Sequence, residues 1–286
     1  MDIFKQEKIY LITGATGFLG YPLVERLLKK NINLRVISRN EGKLIELKQK
    51  FPSIEIFTGD VANKFDTHQA CKGVSGVYHL AASKHVGLAE IFSKECIQSN
   101  IIGSLNILEE SIRNKFDFVL GISTDKAAQV NGVYGATKYL MEALFRQYQD
   151  LNSGTDYRLV RYGNVLYSTG SVLCKWKKLL EEGKEVIVTD PAATRFFWTR
   201  DEAVQLIFDC IKNATDCDPY IPEMKAMTIS SLLTAMANKY LPTGEELKIK
   251  TIGLQPGENL HEKMLEEGPY SNEVKFFTVE EIMEKI

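Results

Sequence analysis

Between Ile122 and Glu142 the chain reads ISTDKAAQVNGVYGATKYLME, and side chains able to move protons are gathered there most densely. Ser123, Thr124, Asp125 and Lys126 are consecutive, and eight residues later Tyr134 is followed by Lys138 at i+4. On a helix, residues four apart share a face, so Tyr134 and Lys138 are expected side by side. An ammonium beside a phenol favours the phenolate, which would let Tyr134 act as a base below its free pKa of about 10. Asp125 and Lys126 add a candidate acid and a second candidate base. That is more proton-transfer machinery than simple alcohol oxidation needs.

These residues must be carried to one place by the elements around them. KIYLIT, residues 8–13, is a short run of apolar, branched and aromatic residues, the pattern of a buried strand. It enters GATGFLG, and the following YPLVERLLKK repeats its apolar positions at a helical period. A strand, a glycine-rich turn and a helix in that order let backbone N–H groups approach a pyrophosphate at the positive end of the helix. Gly14, Thr16, Gly17, Phe18 and Leu19 are therefore the candidate cofactor contacts. The next strand, NLRVIS, ends at Ser38 and Arg39 with no carboxylate at its tip. An acidic residue there would bond the adenosine ribose, whereas an arginine suits a 2′-phosphate. Ser38, Arg39 and Lys43 thus favour NADP over NAD. SIEIFTGDV ends at Asp60 and Val61, where a carboxylate can meet the adenine amino group. GVYHLAAS brings in Ala81 and Ala82, small enough for the backbone to lie against the cofactor. Lys84 and His85 follow at a strand end where open α/β sheets bind ligands, and Lys84 is the better candidate for a phosphate or carbonyl contact. A long helix is expected over 88–113 with Asn100 in its middle, after which DFVLGIST delivers the Ser-Thr-Asp-Lys run.

YRLVRYGNV completes a regular alternation of strands and helices, so residues 1–165 are expected to form an α/β, Rossmann-like, doubly wound parallel sheet. From residue 166 the alternation breaks down. Helices are expected over SVLCKWKKLLEEG, DEAVQLIFDCIKN and TISSLLTAMANKY, and strands over EVIVTD and ELKIKTI. PAATRFFWTRDE is expected as a loop, PYIPEM as an extended stretch, and GENLHEKMLEEG as a terminal segment with one more helix. No Gly/Ser linker separates the halves, so residues 166–286 are expected to pack on the sheet as a small C-terminal α/β lobe that binds substrate.

The totals describe an ordinary globular chain: 286 residues, 44% hydrophobic, 25% charged, net charge −2. Nothing in that balance points to nucleic acid. No apolar run approaches the roughly 20 residues that cross a bilayer, and the start, MDIFKQEKIYLITG, does not read as a signal peptide. A cytoplasmic protein without a membrane partner is expected. The five cysteines, Cys71, Cys96, Cys174, Cys210 and Cys217, are scattered without a CxxC pair or a His at ligand spacing, so they read as reduced packing residues with neither disulfide nor metal.

GATGFLG, HLAAS and the Tyr134/Lys138 pair together resemble the extended short-chain dehydrogenase/reductase family. STDKAAQVNGVYGATK, RYGNVLYSTGSV, DPAATRFFWTRDEAV and PGENLHEKM narrow the resemblance to the nucleotide-sugar dehydratases of polysaccharide biosynthesis that convert UDP-N-acetylglucosamine to a 4-keto-6-deoxy sugar. It runs from about Lys8 to Leu265. The resemblance implies a lyase with a tightly bound, recycled NADP. Tyr134, assisted by Lys138 and Thr124, would take the C4 hydroxyl proton. Lys126 would remove the C5 proton and Asp125 would protonate the departing C6 hydroxyl, which requires their pKa values to be coupled and displaced toward neutrality. It also places Asn164 near the sugar and pyrophosphate, Ser171 and Val172 near the nucleotide, Arg195 on the diphosphate and Glu258 on the uridine. Gln255 and Asn259 stand where the family usually has an arginine and a lysine, which leaves fewer cations for the UDP. Relatives commonly pair through two long helices, here 88–113 and 133–150, so a homo-oligomer is expected. Retention at C5 is preferred to inversion. A UDP-sugar epimerase would need Tyr134 and Lys138 but not Asp125 and Lys126, and a non-catalytic NADP-binding scaffold would need none of the four.

Overall fold

A computed structural model of the chain describes residues 7–286, so the reading of the first six residues lies outside what is described. Three strands whose apolar runs leave no polar face form the centre of the sheet: β1 (Ile9–Thr13), β4 (Val74–His79) and β5 (Phe118–Thr124) are buried along almost their whole length. Strands covered on both faces read this way because neither side meets water. β2 (Asn33–Ser38) and β3 (Glu55–Thr58) extend the sheet to one side, β6 (Asp156–Tyr162) to the other. One face is covered by α1 (Gly20–Leu28), α2 (Glu41–Lys50) and α9 (Arg200–Asn213), through residues such as Leu23, Leu44 and Ile207. The opposite face is covered by α3 (Lys64–Cys71), α6 (Gly103–Asn114) and α7 (Val133–Asp150), through Cys71, Ile107 and Phe145. α4 (Val86–Ile91) and α5 (Ser93–Ile97) lead into α6.

The seven-stranded sheet has the order β10-β6-β5-β4-β1-β2-β3, every neighbour parallel, where β10 is Pro219–Tyr220. The chain winds outward from β1 in one direction and from β4 in the other. The crevice beyond the carboxyl ends of that pair is where such sheets take ligands.

The remaining elements form smaller layers. β7 (Asn164–Val165), β9 (Thr194–Trp198) and β11 (Ala226–Thr228) make a three-stranded sheet. β8 (Val186–Val188) pairs with β12 (Ile249–Thr251), and α8 (Val172–Glu181), α10 (Ile229–Tyr240) and α11 (Val279–Lys285) enclose a core around Trp176, Leu232 and Ile282. Among the described residues no helix is long and apolar enough to cross a membrane.

Several elements differ from the sequence reading. The helix expected over 88–113 is broken at Phe92 and widened into a π-turn over Gln98–Ile102. That turn faces Asn100 inward, where its side chain accepts from Ser83 N–H at 2.7 Å and donates to Ser83 O at 2.9 Å and Thr137 Oγ1 at 3.0 Å. YRLVRYGNV splits at Gly163, whose backbone passes so close to Phe196 O that an added Cβ would lie 2.5 Å from it; β6 stays in the large sheet and β7 joins the small one. The loop expected at PAATRFFWTRDE contains β9, all five of whose residues are buried, a run short enough to be mistaken for a loop between Pro191 and Thr199. GENLHEKMLEEG is irregular and the last helix lies further on, at α11, where Thr278 and Glu281 form a capping box.

A buried ion pair ties these layers together. Glu142 of α7, fully buried, meets the Arg161 guanidinium of β6 through two bonds, Nη2 to Oε2 at 2.5 Å and Nε to Oε1 at 3.0 Å. Ser123 of β5 donates to the same carboxylate at 2.5 Å, and Arg161 Nη1 donates to Met264 O at 2.5 Å. Removing one member leaves the other charge buried without its partner, a loss of about 3–5 kcal/mol. Glu142→Ala is expected to lower the unfolding free energy by about that much in urea titration, with the slope of the transition unchanged.

Candidate active site

The β1–α1 turn is packed backbone against backbone. Gly14 has φ +71°, and a Cβ there would sit 2.8 Å from Ala81 N, so only glycine lets the two backbones meet. The residues opening α1 line a cleft of ≈ 560 Å³, the position where helix amides can meet an anion. Thr16, Gly17, Phe18 and Leu19 line it beside Gly14, and Ala81 and Ala82 line it across from them. Ser38 and Arg39 border its far end, where Thr16 Oγ1 lies 3.2 Å from Ser38 Oγ and Arg39 Nη1 lies 3.5 Å from Asp60 Oδ2. Asp60 and Val61 complete that end. Lys43 is not in the cleft; its backbone N–H bonds Asn40 Oδ1 at the start of α2 and its side chain is exposed.

At the other end of the cleft the structure brings Thr124, Lys126, Tyr134 and Lys138 together. The 3-10 turn over Asp125–Ala127 follows β5 directly, and Gly135 lets α7 approach it: a Cβ on that glycine would lie 2.4 Å from Lys126 O. Asp125 is fully buried, its Oδ1 accepting from Thr124 Oγ1 at 2.8 Å, from Lys126 N at 2.9 Å and from Lys126 Nζ at 3.2 Å. Its Oδ2 is buried without a hydrogen-bond partner among the described residues.

The electrostatics depart from the sequence reading. Burial pushes the Tyr134 phenol up to about 12, against the lowering effect of the Lys126 ammonium and a hydrogen bond to Thr124. Lys138 Nζ instead lies 3.1 Å from Met141 Sδ, and burial lowers its pKa to about 8 despite Glu142 one turn on. Lys126 is held above its ordinary value, because the Asp125 and Glu262 carboxylates outweigh its loss of solvation. The chain's own groups thus keep Tyr134 a phenol and Lys126 an ammonium, the reverse of the expected displacement toward neutrality.

The expected substrate residues divide. Lys84 and Asn164 line the cleft, Lys84 with a pKa lowered by burial, and His85 lines it next to them. Ser171 and Val172 sit at the start of α8, just beyond the cleft lining. Arg195 does not present its guanidinium to the cleft: Nη1 bonds Thr194 O at 2.8 Å and Leu260 O at 2.9 Å, and Nε lies 3.7 Å from Glu262 Oε1. Glu258 is half-buried and closes its own turn by accepting from Gln255 N at 3.1 Å. Glu262, four residues on, is the acid in that segment that reaches the site. The PGENLHEKM motif contained it, but only the folded loop separates it from Glu258.

A further network holds the cofactor side of the cleft. Ser104 Oγ donates to Asn100 O at 2.8 Å, so His79 Nε2–H donates to Ser104 at 2.9 Å; Nδ1 then accepts from Thr13 Oγ1 at 2.8 Å, and Thr13 accepts from Ala81 N–H at 3.0 Å. Every member is satisfied with His79 neutral, and burial together with the Lys138 charge lowers its pKa to about 3.

The chain is similar to known proteins in both sequence and fold. Residues 10–284 match the family described as polysaccharide biosynthesis protein. A UDP-N-acetylglucosamine 4,6-dehydratase (inverting) of Campylobacter jejuni is 36% identical over 91% of this chain and 78% of its own length. A UDP-glucose 4-epimerase of Rickettsia canadensis is 32% identical over 91% and 78%. Among solved structures, Pen from Bacillus thuringiensis superposes with a TM-score of 0.90 at 28% identity, covering 99% of this chain and 97% of that one. Several nucleotide-sugar enzymes of the same fold, 18% identical, were solved with NAD.

The neutral His79 has a measurable consequence. An unfolded histidine takes up a proton near pH 6.5, whereas the folded His79 resists until about pH 3, so its contribution is complete above about pH 6.5 and lost as pH falls from there. Stability should fall by up to about 1.4 kcal/mol per pH unit through that window from this residue alone. His79→Gln, which cannot titrate, is expected to remove one proton from the pH slope of the unfolding free energy between pH 6 and pH 4, as measured by denaturant titration at each pH.

Proposed function

The chain belongs to the polysaccharide biosynthesis protein family, nucleotide-sugar dehydratases and epimerases of the extended short-chain dehydrogenase/reductase fold, and from that premise we propose that it is a 4,6-dehydratase of UDP-N-acetylglucosamine. The observation that carries this reading is the Asp125–Lys126 pair: Lys126 lines the cleft with Thr124 and Tyr134, and the fully buried Asp125 lies behind it, 3.2 Å from Lys126 Nζ. An epimerase oxidises and reduces the same carbon and has no use for a second acid and base.

A nicotinamide dinucleotide fits the cleft at the β1–α1 turn, where the α1 amides, Ser38, Asp60, Val61, Ala81 and Ala82 would hold it. When bound it would supply the oxidant that takes hydride from C4 and gives it back at C6. The remaining work falls to the chain. Tyr134, hydrogen-bonded to Thr124, receives the C4 hydroxyl proton as it passes its own proton on, and Thr124 Oγ1, 2.8 Å from Asp125 Oδ1, hands one to the carboxylate. In that relay Tyr134 is never a free phenolate, which accommodates its raised pKa. Asp125, now protonated, is the acid for the departing C6 hydroxyl, so the proton taken up from C4 at one end of the relay is balanced by the one lost in water at the other. Lys126 removes the C5 proton and returns it.

Lys84 and Asn164 are the groups we assign to the sugar and diphosphate, with Ser171, Val172 and Glu258 toward the nucleotide. Arg39 supports NADP over NAD. The exposed apolar residues Leu88, Ile91 and Phe92 with Tyr139 and Leu140 of α7 support pairing of two copies along these helices. The Campylobacter jejuni relative is named as inverting, which favours reprotonation of C5 on the opposite face over the retention preferred from the sequence; with Lys126 both removing and returning the proton, inversion requires the enone to turn its other face to Lys126 before the proton comes back.

Proton NMR of the purified protein with UDP-N-acetylglucosamine is expected to show a new C6 methyl doublet without added NADP, its C5 couplings giving the face of reprotonation. No methyl even with added NADP would defeat the dehydratase reading. Lys126→Ala should cut methyl formation by about 10²–10⁴-fold while still permitting reduction of the cofactor, seen at 340 nm. Arg39→Ser is expected to weaken NADP binding roughly tenfold and leave NAD binding unchanged, by titration calorimetry.

A further inference from the structure

Glu262 is carried into the site by an irregular loop 136 residues after Lys126, yet only 1% of it is exposed. A buried carboxylate is costly unless its charge is met by partners. Its Oε1 lies 3.6 Å from Lys126 Nζ and 3.7 Å from Arg195 Nε, and Asn259 Nδ2 lies 3.4 Å from its Oε2. Its backbone N–H is held by Ser271 Oγ at 2.9 Å, and Ser271 in turn donates to Thr194 O next to Arg195. Two residues further on, Met264 O accepts from the Arg161 guanidinium. The loop is thus fastened on both sides of Glu262, and what the fastening delivers is one carboxylate oxygen beside the lysine that also touches Asp125.

The charged groups facing Glu262 are Asp125 and Lys126 from the turn after β5 and Arg195 from β9, with the Tyr134 phenol of α7 beside Lys126. Burial and the Asp125 charge raise the Glu262 pKa, and Lys126 and Arg195 oppose them. A carboxylate so placed accepts a proton more readily than an ordinary glutamate. Lys126 is an ammonium in this cluster, and as such it cannot act as a base.

We infer that Glu262 is a positioning residue that prepares Lys126 for the C5 proton: it holds the Lys126 side chain between two carboxylates and takes up the proton the amine must lose. This rests on the dehydratase reading and deepens it. The Nζ–H bond breaks and an Oε1–H bond forms, leaving a neutral amine and a neutral carboxylic acid. The amine takes the C5 proton as Asp125 protonates the leaving hydroxyl. When C5 is reprotonated from Lys126, Glu262 returns its proton and the cluster regains its starting charges. Over the cycle the proton count closes within the cluster and no co-reactant is needed, while the Lys126 ammonium, which lines the cleft, exchanges its hydrogens with solvent between turnovers.

Glu262→Gln keeps the size and the hydrogen-bonding reach but cannot take a proton. With holoenzyme, the expected result is that cofactor reduction at 340 nm persists and the KM for UDP-N-acetylglucosamine stays within about threefold. Methyl formation and solvent deuterium incorporation at C5 should both fall about 100-fold. Because Lys126 must then lose its proton to solvent, the rate of the variant should climb with pH from 7 to 10 where the wild type is flatter. Glu262→Asp should recover part of the loss. Wild-type rates in the Gln variant overturn the inference, as does an equal loss of cofactor reduction and C5 exchange with no change in pH profile, which marks a purely structural role. A wild-type protein that forms no methyl group overturns the dehydratase reading and this inference together, whereas an active wild type with an indistinguishable Gln variant overturns this inference alone.

Discussion

The Glu142–Arg161 pair is the constraint on which the site depends. It joins α7 to β6, takes a bond from Ser123 on β5, and through Arg161 holds the carbonyl of Met264 in the C-terminal loop. Glu142 lies one helical turn after Lys138, which lies one turn after Tyr134, so the register of the catalytic helix against the sheet is set by a charge pair that cannot slide without exposing a buried ion. The same pair fixes how near the loop carrying Glu262 comes to Lys126. Buried pairs of this kind are poor sources of net stability, and their value here lies in specifying one arrangement over its neighbours.

Around that constraint the cleft is built with opposite strategies at its two ends. The cofactor end is made of backbone. Glycine at Gly14 and alanine at Ala81 and Ala82 bring main-chain amides to the surface, and the neutral His79 relay from Ala81 to Asn100 keeps the facing loop in place. The reacting end is made of charge. Asp125, Lys126, Glu262 and Arg195 are packed together with little solvent, so the two carboxylates raise the proton affinity of Lys126, and burial with the Asp125 charge raises that of Glu262. This explains why the simple rule that a neighbouring lysine lowers the tyrosine pKa fails: Lys138 points to Met141, and burial dominates at Tyr134.

The sheet and most of the cradle were legible in the chain because they rest on local rules. Apolar runs bounded by glycine and helical periods in between are short-range patterns, and β2 falls on the residues the pattern names. The errors fall where a short-range pattern is overruled. β9 reads as a loop because five residues between turn-formers carry too little periodicity, and β7 leaves the sheet only because Phe196 crosses Gly163. The wide turn at Asn100 answers to Ser83 and Thr137, neither of which is near in sequence.

For the chemistry the division is similar. The sequence alone determined which residue types stand next to one another: Thr124, Asp125 and Lys126 in one turn, Tyr134 and Lys138 on one helix face, glycines between a strand and a helix. Adjacency of that kind follows from covalent spacing and helical pitch. Only the tertiary structure decided that Glu262 rather than Glu258 meets Lys126, that Arg195 is spent on Leu260 O and Thr194 O, and that Lys126 stays an ammonium. Those outcomes depend on desolvation and on charges brought together from positions far apart in the chain, and neither quantity is defined until the chain has folded.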